Sequence, residues 1–292
     1  MVRQGGAEDG RDDGRRPPVH PYPVVLVHGI AAHDRGIHGS PLWGRVPEVL
    51  RSRGFSVFFG DTDAWGSVES NGAALARTVD EVLAETGASQ VILIAHSKGG
   101  LDVRSALLEP GVAAKVRGVV TLSSPHRGME FCTMLARSRF LLPHVVSHLV
   151  DGWSRLRGDR NPDSIQALRD LTKGGARDLV ASEADGGGPE GAAAVPFRSY
   201  GFRSAGRRYP RSHMEYMVRR LDGENDGLVP LGATAHGDHG VMLAEGRIDH
   251  DDCTDRSGRD FTLVAADGSV YRSPAEFIAA VVGELEEGPA VA

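Results

Sequence analysis

A serine in the segment Ile94-Ala95-His96-Ser97-Lys98-Gly99-Gly100 has the surroundings of an enzymatic nucleophile. The residues before it form an apolar run that predicts a buried strand, and the residues after it predict a helix. A nucleophile on such a sharp turn needs small residues two positions away on either side, because bulky side chains would clash across the turn. Ala95 and Gly99 occupy those two positions. We therefore predict that Ser97 is a nucleophile for acyl transfer.

A second motif, His28-Gly29-Ile30, directly follows the apolar run at residues 23–27. Hydrolases with this kind of nucleophile turn take one oxyanion donor from the residue after the nucleophile and another from a loop at this place. A helix that starts at the turn also points its N–H groups at the developing negative charge. We predict that the backbone N–H groups of Ile30 and Lys98 form the oxyanion hole. For His28 we favour a structural role in tying the loop together over a catalytic one.

A serine hydroxyl needs a base to become nucleophilic, and the base needs an acid to orient it. Downstream of Ser97, the segment Asn225-Asp226-Gly227-Leu228-Val229-Pro230 places an acid in a turn. The histidines after it are His236, His239 and His250, and we interpret the first two as surface or loop-tying residues in a glycine-rich segment. Neighbouring carboxylates favour the charged form of His250, which suits a general base. We predict Asp226 as the orienting acid and His250 as the base.

The elements that must position these residues alternate between strands and helices. Apolar runs predict strands at residues 23–27, 55–59, 91–95, 116–122 and 195–202. Helical patterns cover residues 71–86, 99–108 and 273–287, with Ser70 or Asn71 as the N-cap of the first helix and Gly87 as its end. Strands that alternate with helices and are continuously apolar predict an α/β fold with a parallel sheet covered on both faces.

Residues 129–180 carry helical periodicity and no strand signal. Seven apolar residues of this region share one helical face: Phe140, Leu141, Val145, Val146, Leu149, Val150 and Trp153. Two interpretations stay open, a helix packed on the body of the protein and a mobile lid whose apolar face opens toward lipid. Residues 182–194 predict a flexible connector because their composition is of low complexity.

Together these motifs resemble those of the bacterial true lipases, the triacylglycerol lipases of the pseudomonad type, in the α/β-hydrolase superfamily. The matching stretches occur in the family's order: Leu26-Val27-His28-Gly29, residues 91–100, Ser124-Pro125-His126-Arg127-Gly128, residues 225–229 and His250-Asp251-Asp252. The resemblance implies an α/β-hydrolase fold, a mostly parallel central sheet flanked by helices, with a helical lid or cap region over residues 129–180.

The same resemblance implies roles for single residues. Ser97 would be the nucleophile, Asp226 the orienting acid and His250 the base, with oxyanion donors at Ile30 and Lys98. The family also carries a non-catalytic histidine before the catalytic one, and His236 or His239 would be its counterpart. For His126 we favour a structural role in a loop beside the substrate pocket.

Calcium is a point at which this chain departs from the family. The family's site uses an Asp just after the catalytic His, where Asp252 fits, and another Asp well upstream of the catalytic acid. Residues 198–221 contain no Asp and seven Arg residues. We therefore expect no metal and no other cofactor, with Asp252 as the one matching calcium ligand. Our hypothesis is that an arginine of this segment pairs with Asp252 in place of the cation.

The 292 residues are 40% hydrophobic and 25% charged, with a net charge of −6, which predicts a globular protein and no overall field for nucleic acid. Residues 1–20 predict a disordered tail because they are polar and rich in charge and glycine, and residues 21–292 predict one α/β-hydrolase domain. The arginine-rich run at residues 198–220 is interpreted as a solvated or salt-bridged face.

Localisation is constrained weakly. No signal peptide is visible in residues 1–23. No stretch approaches the roughly 18 apolar residues of a membrane span. The expectation is cytoplasmic, or secreted if a leader is missing from this chain. Cys132 and Cys253 could be bridged, but two free thiols are favoured.

The predicted function is hydrolysis of carboxylic esters, such as acylglycerols, through an acyl-enzyme, with transient contact with a lipid interface as an open question. An acyltransferase or a thioesterase on the same Ser-His-Asp site is the alternative, because acceptor choice depends on pocket shape. A binding module without catalysis is disfavoured, because it has no need of all three of Ser97, Asp226 and His250.

Overall fold

The computed structural model describes residues 20–33, 42–137, 143–185, 195–204, 211–236, 242–260, 262–264 and 268–287. The predicted tail lies outside these ranges except for His20, whose ring stacks on Phe55 with centroids 3.7 Å apart. His20 also pairs with Glu286 and is therefore part of the folded body. The predicted connector was wrong at residues 182–185, which continue a helix, and its other residues, 186–194, lie outside the described ranges.

Eight strands form one sheet in the order β2-β1-β3-β4-β5-β6-β7-β8. The strands are β1 Val24–Val27, β2 Val57–Phe59, β3 Val91–His96, β4 Val116–Leu122, β5 Phe197–Arg203, β6 Met242–Arg247, β7 Leu263–Val264 and β8 Val270–Tyr271. Neighbouring strands from β2 to β6 pair in parallel, and β7 and β8 add an antiparallel edge. The α/β fold with a mostly parallel sheet is thus confirmed.

Nine helices flank or cover the sheet in the described ranges. They are α1 Val46–Ser52, α2 Val68–Thr86, α3 Gly99–Leu108, α4 Glu130–Arg137, α5 Pro143–Leu156, α6 Ser164–Asp170, α7 Lys173–Asp185, α8 Arg211–Asp222 and α9 Pro274–Glu287. The predicted N-cap of α2 was wrong. Ser67 caps it instead, because its side chain accepts a hydrogen bond from the N–H of Ser70, and Gly87 ends it with a left-handed φ of 69°.

Two apolar clusters cover the two faces of the sheet. Alternate residues of the central strands divide between them, so that Leu26 and Ile94 join one cluster while Val27 and Leu93 join the other. The first cluster includes residues of α1 and α9, and the second includes residues of α2 and α3. Burial on both faces explains why β1, β3 and β4 read as continuous apolar runs.

The predicted helical region at residues 129–180 contains α4, α5, α6 and most of α7. Of its predicted apolar face, Phe140 and Leu141 lie outside the described residues. Leu149 is 70% exposed and Trp153 60% exposed. The face of α5 that carries Leu149 and Trp153 is therefore exposed, whereas Ser147 and Ser154 on the same helix are buried.

No helix in the described ranges is both long and apolar enough to cross a membrane. Cys132 on α4 and Cys253 in the turn after β6 are both buried free thiols.

Candidate active site

Ser97 stands on the turn between β3 and α3 with a left-handed backbone φ of 54°. This conformation costs an L-residue about 1–2 kcal/mol, so the surrounding structure must hold it in place. A Cβ added at Gly29 would lie 2.7 Å from the Cβ of Ser97, and one added at Gly99 would lie 2.4 Å from the carbonyl oxygen of His28. The β1 loop and the turn therefore approach so closely that only glycine fits at both positions.

Asp226 and His250 form a buried pair at the carboxyl end of the sheet. His250 Nδ1 lies 2.8 Å from Asp226 Oδ2, and the backbone N–H of His250 donates to the carbonyl oxygen of Asp226 at 2.9 Å. The other carboxylate oxygen, Oδ1, accepts from the N–H groups of Leu228 at 3.0 Å and Val229 at 2.8 Å. Each carboxylate oxygen of Asp226 thus has a donor, and the imidazole has a fixed orientation.

The electrostatics of Asp226 follow from these contacts. Burial by itself would raise the pKa of this carboxyl, but His250 and the hydrogen bonds to the carboxylate outweigh burial and lower the pKa below its ordinary value. Asp226 is therefore ionised at neutral pH. A buried carboxylate against His250 stabilises the imidazolium that a general base forms.

His96, directly before Ser97, connects the nucleophile turn to His250. Its Nε2–H donates to the carbonyl oxygen of His250 at 2.9 Å, and the two ring centroids are 4.5 Å apart. Burial and the nearby His250 lower the pKa of His96 to about 3, so its ring is neutral at physiological pH. The structure thus places the predicted base against the turn that carries the predicted nucleophile.

An ion pair anchors the loop that carries His250. Arg45 donates from Nε and Nη2 to the two carboxylate oxygens of Asp255, each at 2.8 Å, and Asp255 is fully buried. The hydroxyl of Thr254 donates to the carbonyl oxygen of Leu42 at 2.8 Å. We call these contacts the Arg45–Asp255 clamp, and it ties the His250 loop to the segment before α1.

The first predicted oxyanion donor lies in a loop that is tied to the segment between β2 and α2. The N–H of Ala31, next to Ile30, donates to the carbonyl oxygen of Ala64 at 3.0 Å. The ring nitrogens of His28 lie 2.9 Å from the carbonyl oxygens of Gly29 and Thr62. Nε2 also lies 3.4 Å from the hydroxyl of Thr62, and the contacts with Thr62, which tie the loop to residues 61–66, support the structural interpretation of His28.

The remaining predicted histidines lie elsewhere. His236 packs on His126 and Phe197, with ring centroids 4.9 and 4.4 Å away. Burial and the charge of Arg104 lower the pKa of His236 to about 4. His126 Nε2 lies 3.0 Å from the hydroxyl of Thr121, beneath α3. These contacts are structural in kind, and His239 lies outside the described residues.

Sequence reasoning missed one residue of the site, Ser123. It follows β4, has a left-handed φ of 50°, and its hydroxyl is hydrogen-bonded to Asp226. The available signal was its place at the carboxyl end of a central parallel strand, beside β3, which ends directly before Ser97.

The predicted substitute for calcium stays a hypothesis. One ion pair of Asp252 is with Arg259, outside the arginine-rich segment, at 3.9 Å. Arg203 pairs instead with Glu224 at 3.1 Å, whereas residues 205–210 lie outside the described ranges. In the part of the chain that the structure describes, no group of three or more His, Cys, Asp or Glu residues could hold a metal ion.

Residues 22–170 match the family model described as the alpha/beta hydrolase fold. Triacylglycerol lipases of Pseudarthrobacter phenanthrenivorans and Burkholderia plantarii are each 39% identical over 163 residues, which cover 52% of this chain and 50% and 45% of theirs. The chain thus spans about half the length of these relatives.

Two solved structures share the fold. The Bacillus licheniformis lipase BlEst2 in mature form aligns with a TM-score of 0.59 at 23% identity, over 84% of this chain and 90% of that one. The metagenomic carboxyl esterase MGS0156 aligns with a TM-score of 0.66 at 20% identity, over 98% of this chain and 82% of that one. With the matched model covering more than half of its residues, this chain belongs to the alpha/beta hydrolase fold family.

Proposed function

We propose that this protein is a serine-dependent carboxylic ester hydrolase, a lipase or an esterase. The observation that carries the proposal is the buried His250–Asp226 pair, with Nδ1 to Oδ2 at 2.8 Å, set against the turn that carries Ser97. The triacylglycerol lipases that share 39% identity with part of the chain support the same reaction class.

In the proposed reaction, His250 removes the proton of the Ser97 hydroxyl as its oxygen attacks the ester carbonyl carbon. Asp226 stabilises the imidazolium, which then gives the proton to the departing alcohol. A water molecule attacks the acyl-enzyme with His250 again as base, and the acid product leaves. The orientation of His250 is consistent with this sequence, because Asp226 occupies Nδ1 and leaves Nε2 as the nitrogen for proton transfer.

The N–H groups of Ile30 and Lys98 are the proposed oxyanion donors. The left-handed φ of Ser97 and the close approach of Gly29 support this assignment, because they bring the loop after β1 against the nucleophile turn. One such donor contributes roughly 3–4 kcal/mol to transition-state stabilisation in comparable sites. No cofactor enters the proposed reaction.

We extend the proposal to transient contact with a lipid surface through α5. Leu149, Trp153 and Leu156 are 70%, 60% and 82% exposed and follow one another at intervals of four and three residues. Such spacing places them on one helical face. Exposed apolar side chains on one face of a helix are suited to an apolar interface.

The test is hydrolysis of p-nitrophenyl esters from acetate to palmitate by the wild type and Ser97→Ala. We expect Ser97→Ala to lower kcat by about 10⁴-fold or more. Ser164→Ala is the matched control, because Ser164 on α6 is another buried serine and its hydroxyl has no hydrogen-bond partner among the described residues.

Each outcome is informative. A wild type that cleaves no ester, or a Ser97→Ala variant that keeps its rate, would overturn the proposal. Transfer of the acyl group to an added alcohol in preference to water would favour an acyltransferase. A preference for long-chain emulsions that is lost in a Leu149→Ser, Trp153→Ser variant supports lipid contact through α5, and an unchanged preference argues against it.

A further inference from the structure

Lys98, the residue after Ser97, takes part in a buried ion pair. Lys98 Nζ lies 2.6 Å from Asp102 Oδ1, one helical turn along α3, and the two side chains are only 1% and 2% exposed. Burial raises the pKa of Asp102 although Lys98 and Asn71 stabilise its carboxylate. A pair this deeply buried costs desolvation energy that an apolar pair would not, so it is weak evidence of a role in stability alone.

Asn71, in the first turns of α2, continues the network. Its Nδ2 donates to the second oxygen of Asp102, Oδ2, at 3.0 Å and to the carbonyl oxygen of Asp63 at 2.9 Å. Its Oδ1 accepts from the N–H of Asp63 at 3.0 Å. The side chain of Asn71 therefore joins α3 to the segment at residues 61–66, between β2 and α2.

Residues 61–66 also bind the loop of the other proposed oxyanion donor, Ile30. The carbonyl oxygen of Ala64, one residue beyond Asp63, accepts from Ala31, next to Ile30, at 3.0 Å. The loops of Ile30 and Lys98 are thus linked to each other through residues 61–66 by hydrogen bonds. The oxyanion hole needs these two loops at a fixed separation.

Residues 159–161, which belong to the helical region at residues 129–180, hold the segment at residues 61–66 in place. The carboxylate of Asp63 accepts from the N–H groups of Arg160 at 2.8 Å and Asn161 at 2.6 Å. Reciprocally, the carboxylate of Asp159 accepts from the N–H groups of Ala64 and Trp65, each at 3.0 Å. The anchor of the network is therefore the loop that follows α5.

We propose that Asp102 and Asn71 are positioning residues for ester hydrolysis, which hold the Lys98 N–H and the Ile30 loop at the separation that the oxyanion requires. The proposal rests on the proposed function and adds residues that touch neither the substrate nor the reacting atoms. Asp102 suits this role because a carboxylate accepts on both sides, from Lys98 and from Asn71. An asparagine cannot, because either orientation of its amide turns an N–H toward one of the two donors.

The test compares Asp102→Asn with the wild type on a short-chain p-nitrophenyl ester. We expect kcat to fall by about 10-fold or more with KM within twofold, because loss of a whole oxyanion donor costs about 10²–10³-fold and a displaced donor costs less. The inhibition constant of a boronic acid, whose tetrahedral adduct occupies the oxyanion hole, should rise by a similar factor. Asn71→Leu should show the same pattern.

Glu183→Gln is the matched control. Arg104, also buried on α3, donates to both oxygens of Glu183 at 2.7 and 2.6 Å, but this pair links α3 to α7 and makes no contact with the oxyanion loops. The same carboxylate-to-amide change there should leave kcat within twofold. If Glu183→Gln lowers kcat as much as Asp102→Asn does, the effect belongs to helix stability and the positioning role is overturned.

A double variant separates stability from positioning. Lys98→Met combined with Asp102→Leu replaces the ion pair by apolar side chains, which should restore the melting temperature relative to Asp102→Leu alone. The positioning role predicts that kcat stays low after this rescue, and full recovery of kcat would overturn it. An inactive wild type would refute the proposed function itself, whereas an active wild type, an inactive Ser97→Ala and an unchanged Asp102→Asn would refute the positioning alone.

Discussion

The two sides of the site are held by different kinds of contact. On the nucleophile side, Ser97 and Lys98 are fixed by β3 and α3, which follow each other directly in the chain and have buried core residues. On the base side, His250 is held by residues far away in the sequence. His96 lies 154 positions from it, and the Arg45–Asp255 clamp joins residues 210 positions apart.

From this difference we can predict how each side of the site responds to a substitution. The geometry of the turn at Ser97 is built into the β3–α3 unit, so a substitution at this turn should alter the chemistry more than the fold. The geometry of the base side depends on long-range ion pairs and hydrogen bonds, so a substitution there should affect stability and rate together. Four predictions test this contrast, beginning with the largest effect.

Asp226→Asn should lower kcat by about 10⁴-fold, because an amide in place of the carboxylate favours the wrong tautomer of His250 and does not stabilise the imidazolium. The measurement is steady-state hydrolysis of a p-nitrophenyl ester. A fall of less than tenfold would show that another acid orients His250, and Ser123→Ala, which removes one hydrogen bond to the same carboxylate, should cost far less.

Arg45→Leu should lower the free energy of unfolding by about 2–3 kcal/mol, measured by urea denaturation. Breaking a fully buried pair costs about 3–5 kcal/mol, and the loss is smaller here because 38% of the Arg45 side chain is exposed. Because the clamp holds the His250 loop, kcat should fall as well. Arg203→Leu, which breaks an exposed pair with Glu224, is the control, with an expected cost below about 1 kcal/mol. Equal losses in the two variants would contradict the contrast.

The stability of the base side should depend on pH in the acid range. The pKa of Asp226 is lower in the folded protein than in the unfolded chain. Its stabilising contribution is therefore complete above the unfolded pKa, near 3.9, and is lost as the pH falls through the lower folded value. Unfolding free energies from pH 6 down to pH 3, measured by urea denaturation, should fall more steeply for the wild type than for Asp226→Asn. Parallel curves would contradict this origin.

The smallest expected effect concerns the thiols. Burial raises the pKa of Cys132 to about 12, and burial also raises that of Cys253, so neither should react with a disulfide reagent in the native state at pH 8. Cys253 Sγ lies 3.1 Å from the carbonyl oxygen of His250 and so reports on the base side. In Arg45→Leu, Cys253 should become reactive before Cys132, as single-thiol variants can show. The reverse order would mean that the clamp does not hold this loop.

The same contrast explains what could be predicted from the sequence. The strands of the nucleophile side were predicted within two residues at each end, because burial on both faces makes their composition continuously apolar. The turn around Ser97 was recognisable from its small neighbours, and Asp226 and His250 followed from their place in motifs. The structure places the latter two in contact.

Much of the second half could not be predicted. The helix α8, Arg211–Asp222, is mostly polar, and it was not predicted from the sequence although Met214, Met217, Val218 and Leu221 stand at helical spacing. The strands β7 and β8 are two residues long, which is too short for an apolar period. The clamp between Arg45 and Asp255, and the network through Asn71, join residues whose proximity depends on the completed fold, and no local pattern announces such contacts.

The left-handed backbone conformation of Ser97 affects which substitutions the turn would tolerate. Glycine adopts that conformation freely, so the demands of folding alone would favour Ser97→Gly at the turn. A glycine there would relieve strain and remove the hydroxyl in the same step. At this position, greater stability of the turn and the proposed reaction therefore make opposite demands on one side chain.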